Sequence, residues 1–122
     1  MNKVVVLGLA GCLSLGVVAG QWAFAYRAAQ VDYVVYGAGL GDPMAPTAGD
    51  AKIAFSVTGS AAQAMFEAMG PDKPDECASA DGTRFRARDK DRLSCQRSRE
   101  GEYGCQFGFD LGSGKSIGGS IC

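Results

Sequence analysis

Residues 103–111, YGCQFGFDL, set Tyr103, Cys105, Phe107, Phe109 and Leu111 in strict alternation with Gly104, Gln106, Gly108 and Asp110. An apolar period of two sustained over that length is the pattern of a strand with one buried face. The same period recurs on either side of it. Ile53, Phe55 and Val57 alternate with Lys52, Ala54, Ser56 and Thr58. Phe85 and Ala87 share one face of 83–88 while Arg84, Arg86 and Arg88 share the other, and Leu93 and Cys95 take the buried side of 92–97. Asp81-Gly82, Asp89-Lys90-Asp91, residues 98–102 and Gly112-Ser113-Gly114 supply turns, and a last run from Lys115 to Cys122 offers Ile117 and Ile121 as its apolar positions.

One helix interrupts the strands. Ser60-Ala61-Ala62-Gln63 has the form of a capping box, and a helix over 61–69 places Ala61, Ala62, Met65, Phe66 and Met69 on one face, with Gln63 and Glu67 toward water. Gly70-Pro71 ends it. Short strands joined by tight turns fold most economically as an antiparallel meander, and the helix would lie across its apolar face. The expectation is an α+β fold of order β-α-β-β-β-β: a small meander of about four to five strands packed by one short helix and stapled by disulfides.

Upstream of this unit, Val31–Tyr36 (VDYVVY) has strand composition, and the stretch from Gly37 to Asp50, rich in Gly, Pro, Ala and Thr, reads as a flexible linker. Residues 26–50 are therefore expected at the periphery of a domain formed by 51–122. The glycines at 37, 39 and 41 follow a strand, but their spacing is G-x-G-x-G, Pro43 follows, and no amphipathic helix opens there to receive a phosphate.

Residues 1–25 read as an export signal. Lys3 precedes an uncharged apolar run from Val4 to Gly20, and Ala23-Phe24-Ala25 is a small-residue cleavage box. Two alternatives share the same destination. Leu9-Ala10-Gly11-Cys12 resembles the lipobox of bacterial lipoproteins, whose cysteine carries the lipid, and the uncharged run to Tyr26 is long enough to remain as an anchor. The expected location is periplasmic or secreted, with a lipid-anchored envelope protein as the alternative; contact with a membrane follows only if Cys12 is lipidated or the leader is retained.

Export carries a consequence for the cysteines. Beyond the leader stand Cys77, Cys95, Cys105 and Cys122, an even number in a small chain bound for an oxidising compartment, which implies two disulfides. The spacings contain no C-x-x-C, the pair that zinc ribbons and redox sites require, so neither metal nor redox chemistry is expected. If the 98–102 turn closes a hairpin, Cys95 and Cys105 face each other across it, leaving Cys77 to Cys122. Two other connectivities are compatible with the spacing alone.

Formal net charge is −1, yet the charges are segregated. Between Glu67 and Asp81 there are five acids against Lys73, and between Arg84 and Arg99 there are seven bases against Asp89 and Asp91. The ridge of Arg84, Arg86 and Arg88, with Arg92 beyond, is the candidate binding feature, since planar guanidinium forks suit carboxylates and phosphates. The competing reading makes these arginines the solvated face of an edge strand, paired with the acidic loop. No aromatics interleave with them as nucleic-acid binding needs.

Catalysis has little to work with. The chain has no histidine, the commonest general base. Ser113 or Ser116 with Lys115 could form a dyad only if the lysine were desolvated, and Glu100, Glu102 and Asp110 are the carboxylates available for a hydrolase pair. Gly112-Ser113-Gly114-Lys115-Ser116 lacks the first glycine of a phosphate-binding loop, because residue 109 is Phe109. Asp89-Lys90-Asp91 is too short for a calcium loop. No cofactor is implied. Over a few residues, the Ser113-Gly114 turn resembles the Ser-Gly loop that bacterial lysozyme inhibitors of the envelope insert into their target, but the tyrosine those proteins place downstream is absent from Ser116-Ile117-Gly118. The expected function is that of a small exported, non-catalytic binding protein, an inhibitor or protective protein acting by surface complementarity on an enzyme or an envelope polymer. The alternative is a structural envelope component whose arginines hold anionic polymer or lipid.

Overall fold

The computed structural model describes residues 22–74 and 82–121. The chain is α+β, an antiparallel sheet with one helix. Its elements are β1 (Gln30–Gly39), β2 (Asp42–Met44), β3 (Lys52–Thr58), α1 (Gly59–Ala68), β4 (Arg84–Arg88), β5 (Leu93–Arg97), β6 (Tyr103–Asp110) and β7 (Ser116–Ile117). The strands lie in the order β2-β1-β3-β6-β5-β4, and β7 pairs with β6 beyond the end of β5. The 103–110 part of the run is thus a central strand, and the helix covers the face that carries Tyr103, Cys105 and Phe107.

Register explains the core. Val57 stands opposite Cys105, Cys105 opposite Cys95, and Cys95 opposite Arg86, so these four side chains form a row on one face. Directly opposed on neighbouring antiparallel strands, Cys95 and Cys105 are joined as a disulfide with Cα atoms 4.0 Å apart. Helix α1 lies over this row. Ala62, Phe66 and Met69 are buried against Val57, Cys95 and Cys105, and Ala61, Met65, Leu93, Tyr103 and Phe107 pack around them. The apolar stripe expected on the helix is the one the helix uses.

The start of the helix differs from the capping box. Thr58 is the N-cap residue, in extended conformation and without a side-chain cap bond; its hydroxyl turns to Gln30 Oε1 at 3.4 Å. Gly59 follows with φ +69°, where a β-carbon would also come within 2.9 Å of Gln30 Oε1. A glycine at that angle turns the strand into the helix without a spacer, so Ser60 lands inside the first turn. Gln63 donates to Glu67 Oε1 at 2.9 Å, one turn on, instead of reaching back.

The stretch expected as a linker, 37–50, is built into the fold. β1 runs on to Gly39, turns through Leu40-Gly41 and returns as β2, pairing Gly37 with Met44 and Gly39 with Asp42. Asp50 fastens the returning chain: its carboxylate accepts the Ala38 N–H at 2.8 Å and pairs with Lys52. Those two contacts hold the Asp50 carboxyl below its ordinary range, while burial raises the neighbouring Tyr36 hydroxyl. Local glycine content suggested freedom, and a carboxylate twelve residues away removed it.

Candidate functional site

The arginine ridge has its partners within the chain. Arg84 Nε donates to Asp72 Oδ2 at 2.7 Å and Arg86 Nε to Asp72 Oδ1 at 2.7 Å, so one carboxylate takes two forks. Arg86 goes further. Its Nη1 donates to the Phe66 carbonyl at 2.7 Å, near the helix C-terminus where cations are favoured, and its guanidinium carbon lies 4.2 Å from the centre of the Phe66 ring. The ridge therefore lies on the helix-bearing face and its first two arginines lid the end of α1, while Phe85 and Ala87 share the reverse face, where Ala87 is buried as well. The long arginine stems supply the apolar cover that a ten-residue helix lacks.

Arg88 and Arg92 behave differently. Among the described residues Arg88 meets no carboxylate and donates only to its own strand, at the Ala87 carbonyl. Arg92 pairs with Asp89 and reaches the Ser116 carbonyl at 3.3 Å, tying the β4–β5 turn to β7.

Asp72 carries the acid sensitivity of this corner. Hydrogen bonds from Arg84 and then Arg86 lower its carboxyl from the ordinary 3.8 to about 2. A carboxylate depressed on folding contributes stability above its unfolded value and loses it as pH falls through the folded one. The protein should therefore lose stability between about pH 4 and pH 2. Replacing Asp72 by Asn should flatten that limb of a pH series of urea midpoints and lower the midpoint at neutral pH. An unchanged acid limb would show that Asp72 does not carry it.

The catalytic candidates do not converge. Ser113 Oγ donates to Asp110 Oδ1 at 3.2 Å and accepts the Lys115 N–H at 3.2 Å, so its hydroxyl holds the turn. The Ser113 N–H, at 2.9 Å from Asp110 Oδ1, and then the Ser113 hydroxyl hold the Asp110 carboxyl below its usual range. Glu100 and Glu102 sit at one end of β6 and Asp110 at the other, some ~25 Å apart along an extended strand. Among the described residues no cluster of three His, Cys, Asp or Glu side chains could hold a metal. Cys12, Cys77 and Cys122 lie outside the described residues, and with them the lipidation alternative and the second disulfide.

What the structure does assemble is an open apolar surface. Helix α1 is about 15 Å long, whereas β1 to β4 span four inter-strand steps, ~19 Å, and β3 alone runs ~23 Å. The helix covers one end of its face and leaves the other. On the uncovered end Tyr33 stands opposite Phe55 and Phe55 opposite Phe107, while Val35 stands opposite Ile53 and Ile53 opposite Phe109. Phe55 and Phe107 are in ring contact with centroids 5.2 Å apart, and Phe109 meets the edge of Phe107 at 6.1 Å. Along β6 exposure climbs away from the helix, from 0 % at Cys105 to 38 % at Phe109, and the edge strand β1 is exposed on this face along its length, most at Tyr33 with 70 %; Phe55 and Phe107 between them are half-buried. One position further along the β5–β6 and β4–β5 registers, Leu93 and then Arg88 extend the central row to the far edge.

Periodicity put Ile53, Phe55, Phe107 and Phe109 on the apolar faces of half-buried strands, while Tyr33 and Val35 fell in the stretch expected at the periphery. A signal was present: one short helix is too small to cover the sheet that the alternating strands build. The exposed surface follows from that mismatch. The chain matches no protein-family model, no curated protein and no solved structure.

Proposed function

We propose that the protein is an exported, non-catalytic binding protein of the bacterial envelope that acts, as an inhibitor or protective protein would, by docking a partner protein on the open half of its sheet. The observation that carries this reading is the row Tyr33–Phe55–Phe107, an aromatic platform left partly uncovered beside a well-packed core. Exposed apolar patches on small monomers mark interaction sites, and aromatic anchors dominate their energetics. The occupant is an apolar segment carrying an acidic residue, because Arg88 closes the row with its charge unmatched by any carboxylate among the described residues. The buried disulfide supports an oxidising destination, since thiols in the cytosol are kept reduced. Among the described residues no helix is long and apolar enough to cross a membrane. The reading in which the arginine ridge holds anionic polymer has less support, because Arg84 and Arg86 already share Asp72.

Affinity capture from an envelope extract tests this. Tyr33→Glu, at a mostly exposed position, should keep the fold and weaken capture of a discrete partner at least about 30-fold, the cost of losing one aromatic anchor. Arg88→Gln should weaken it less and reduce its salt dependence. Undiminished capture by Tyr33→Glu would reject the platform, and binding that vanishes at moderate salt in the unmodified protein would return the function to surface charge.

A further inference from the structure

The two edges of the sheet are treated unequally. At the β4 edge, Lys73 N–H donates to the Phe85 carbonyl at 2.8 Å, and Arg84, Arg86 and Arg88 line the strand. Charged side chains and a covering segment are how proteins blunt an edge. At the other edge, β2 pairs only with Gly37–Gly39, so the outer side of Gln30–Tyr36 is unpaired among the described residues. That run carries four exposed apolar side chains, Val31, Tyr33, Val34 and Val35, and its only charge is Asp32. It has no lysine or proline, and its ladder to β3 is uninterrupted over seven pairs, so no bulge turns the edge away.

We propose that this edge is the interface for a second copy of the chain, the two β1 strands pairing antiparallel about a two-fold axis at Tyr33. Three observations select a second copy. The free run is seven residues centred on Tyr33, so self-pairing uses all of it: Gln30 faces the partner's Tyr36, Val31 the partner's Val35, and Tyr33 the partner's Tyr33. In that register Asp32 faces the partner's Val34, so the strand's only charge never meets its own image across the ladder. A net charge of −1 puts little long-range repulsion between copies. The blunted β4 edge stops growth at two, giving a closed dimer where two open edges would give a fibre. Both helix-bearing faces then lie on the same side. Val31, Tyr33 and Val35 of both copies meet at the centre, and the two docking platforms become one continuous surface. A ladder of this length buries little area, so the dimer should be reversible and at the weak end of affinities.

Val34 and Asp32 sit on the reverse face of β1, away from the platform, and allow a test that does not disturb it. Sedimentation velocity on the natively purified protein over a hundredfold dilution series should show a monomer–dimer equilibrium. Val34→Asp sets a carboxylate against the partner's Asp32 twice and should leave only monomer, whereas Val34→Lys creates two opposite-charge pairs and should dimerise at least as well as the unmodified protein at low salt. The two variants should differ roughly tenfold or more in dissociation constant. Both replace the same half-exposed valine, so a general weakening of β1 would move them together. Under mild oxidation Tyr33→Cys should crosslink to itself across the axis, while Val31→Cys, which faces the partner's Val35, should not. A protein monomeric at every concentration, Val34→Asp and Val34→Lys behaving alike, or equal crosslinking at 31 and 33 would overturn the dimer. Capture of another protein's strand by a persistently monomeric chain would assign the edge to that partner and overturn it too.

Discussion

Replacing Phe66 by alanine is expected to destabilise the protein by about 3–5 kcal/mol, the largest loss any single side chain here should produce. Phe66 is 2 % exposed and joins three parts of the structure. Its ring meets Tyr103 edge-on with centroids 5.5 Å apart, lies beneath the Arg86 guanidinium at 4.2 Å, and has Arg84 at 5.4 Å. Truncation removes the apolar burial, leaves a void that the sheet cannot close, and takes away the platform on which two arginines rest. The Arg86 bond to the residue-66 carbonyl survives, because it is made to backbone. Small domains are stable by only about 5–15 kcal/mol, so the variant should be partly unfolded at 37 °C. Urea titration followed by circular dichroism would measure it, with Phe66→Leu as a milder comparison expected to lose about half as much or less. A loss under about 1 kcal/mol would mean that α1 does not seal the core.

The second large effect should come from the disulfide. Cys95→Ala with Cys105→Ala is expected to cost on the order of 3 kcal/mol, lowering the melting temperature by about 10–20 °C. The bond closes a loop of sequence separation 10, so much of the loss arises in the unfolded chain, which regains the freedom the crosslink had removed. The native state contributes as well. Both cysteines are fully buried beneath the helix, and Cys105 Sγ lies 3.5 Å from the Ala62 carbonyl, so removing two sulfurs also loosens the contact between helix and sheet. Burial adds a kinetic expectation: a reductant should open the bond only as fast as α1 lifts away, and the rate should rise with denaturant. Calorimetry of the double alanine variant would check the first expectation, and thiol trapping in increasing urea the second. Equal melting temperatures with and without the pair would remove the staple from the account of stability.

These two expectations rest on parts of the chain that differ in how far they could be read from sequence. Alternation in 52–58 and 103–110 and the stripe Ala62, Phe66, Met69 are local consequences of strand and helix periods, so they specified strands, helix and buried faces before any contact was known. Hairpin closure at 98–102 likewise set Cys95 against Cys105, since a tight turn determines its own register.

Other features depend on residues far apart in the chain, and local pattern is silent about them. The 37–50 stretch looked free because glycine and proline report only backbone permissiveness; its order comes from Asp50 bonding Ala38 and pairing with Lys52. Arg84 and Arg86 looked like a solvent-facing ridge because period two says which residues share a face and not which face is covered. Where α1 came to rest made them the lid over Phe66. The partly uncovered platform of Tyr33, Phe55 and Phe107 and the outer edge of β1, unpaired among the described residues, arise in the same way. Sequence alone determined that β3, α1, β5 and β6 form and which of their sides are apolar, because those properties repeat within a few residues. Tertiary structure decided which apolar sides are left in water, because that depends on the area of one short helix set against the breadth of the sheet it must cover.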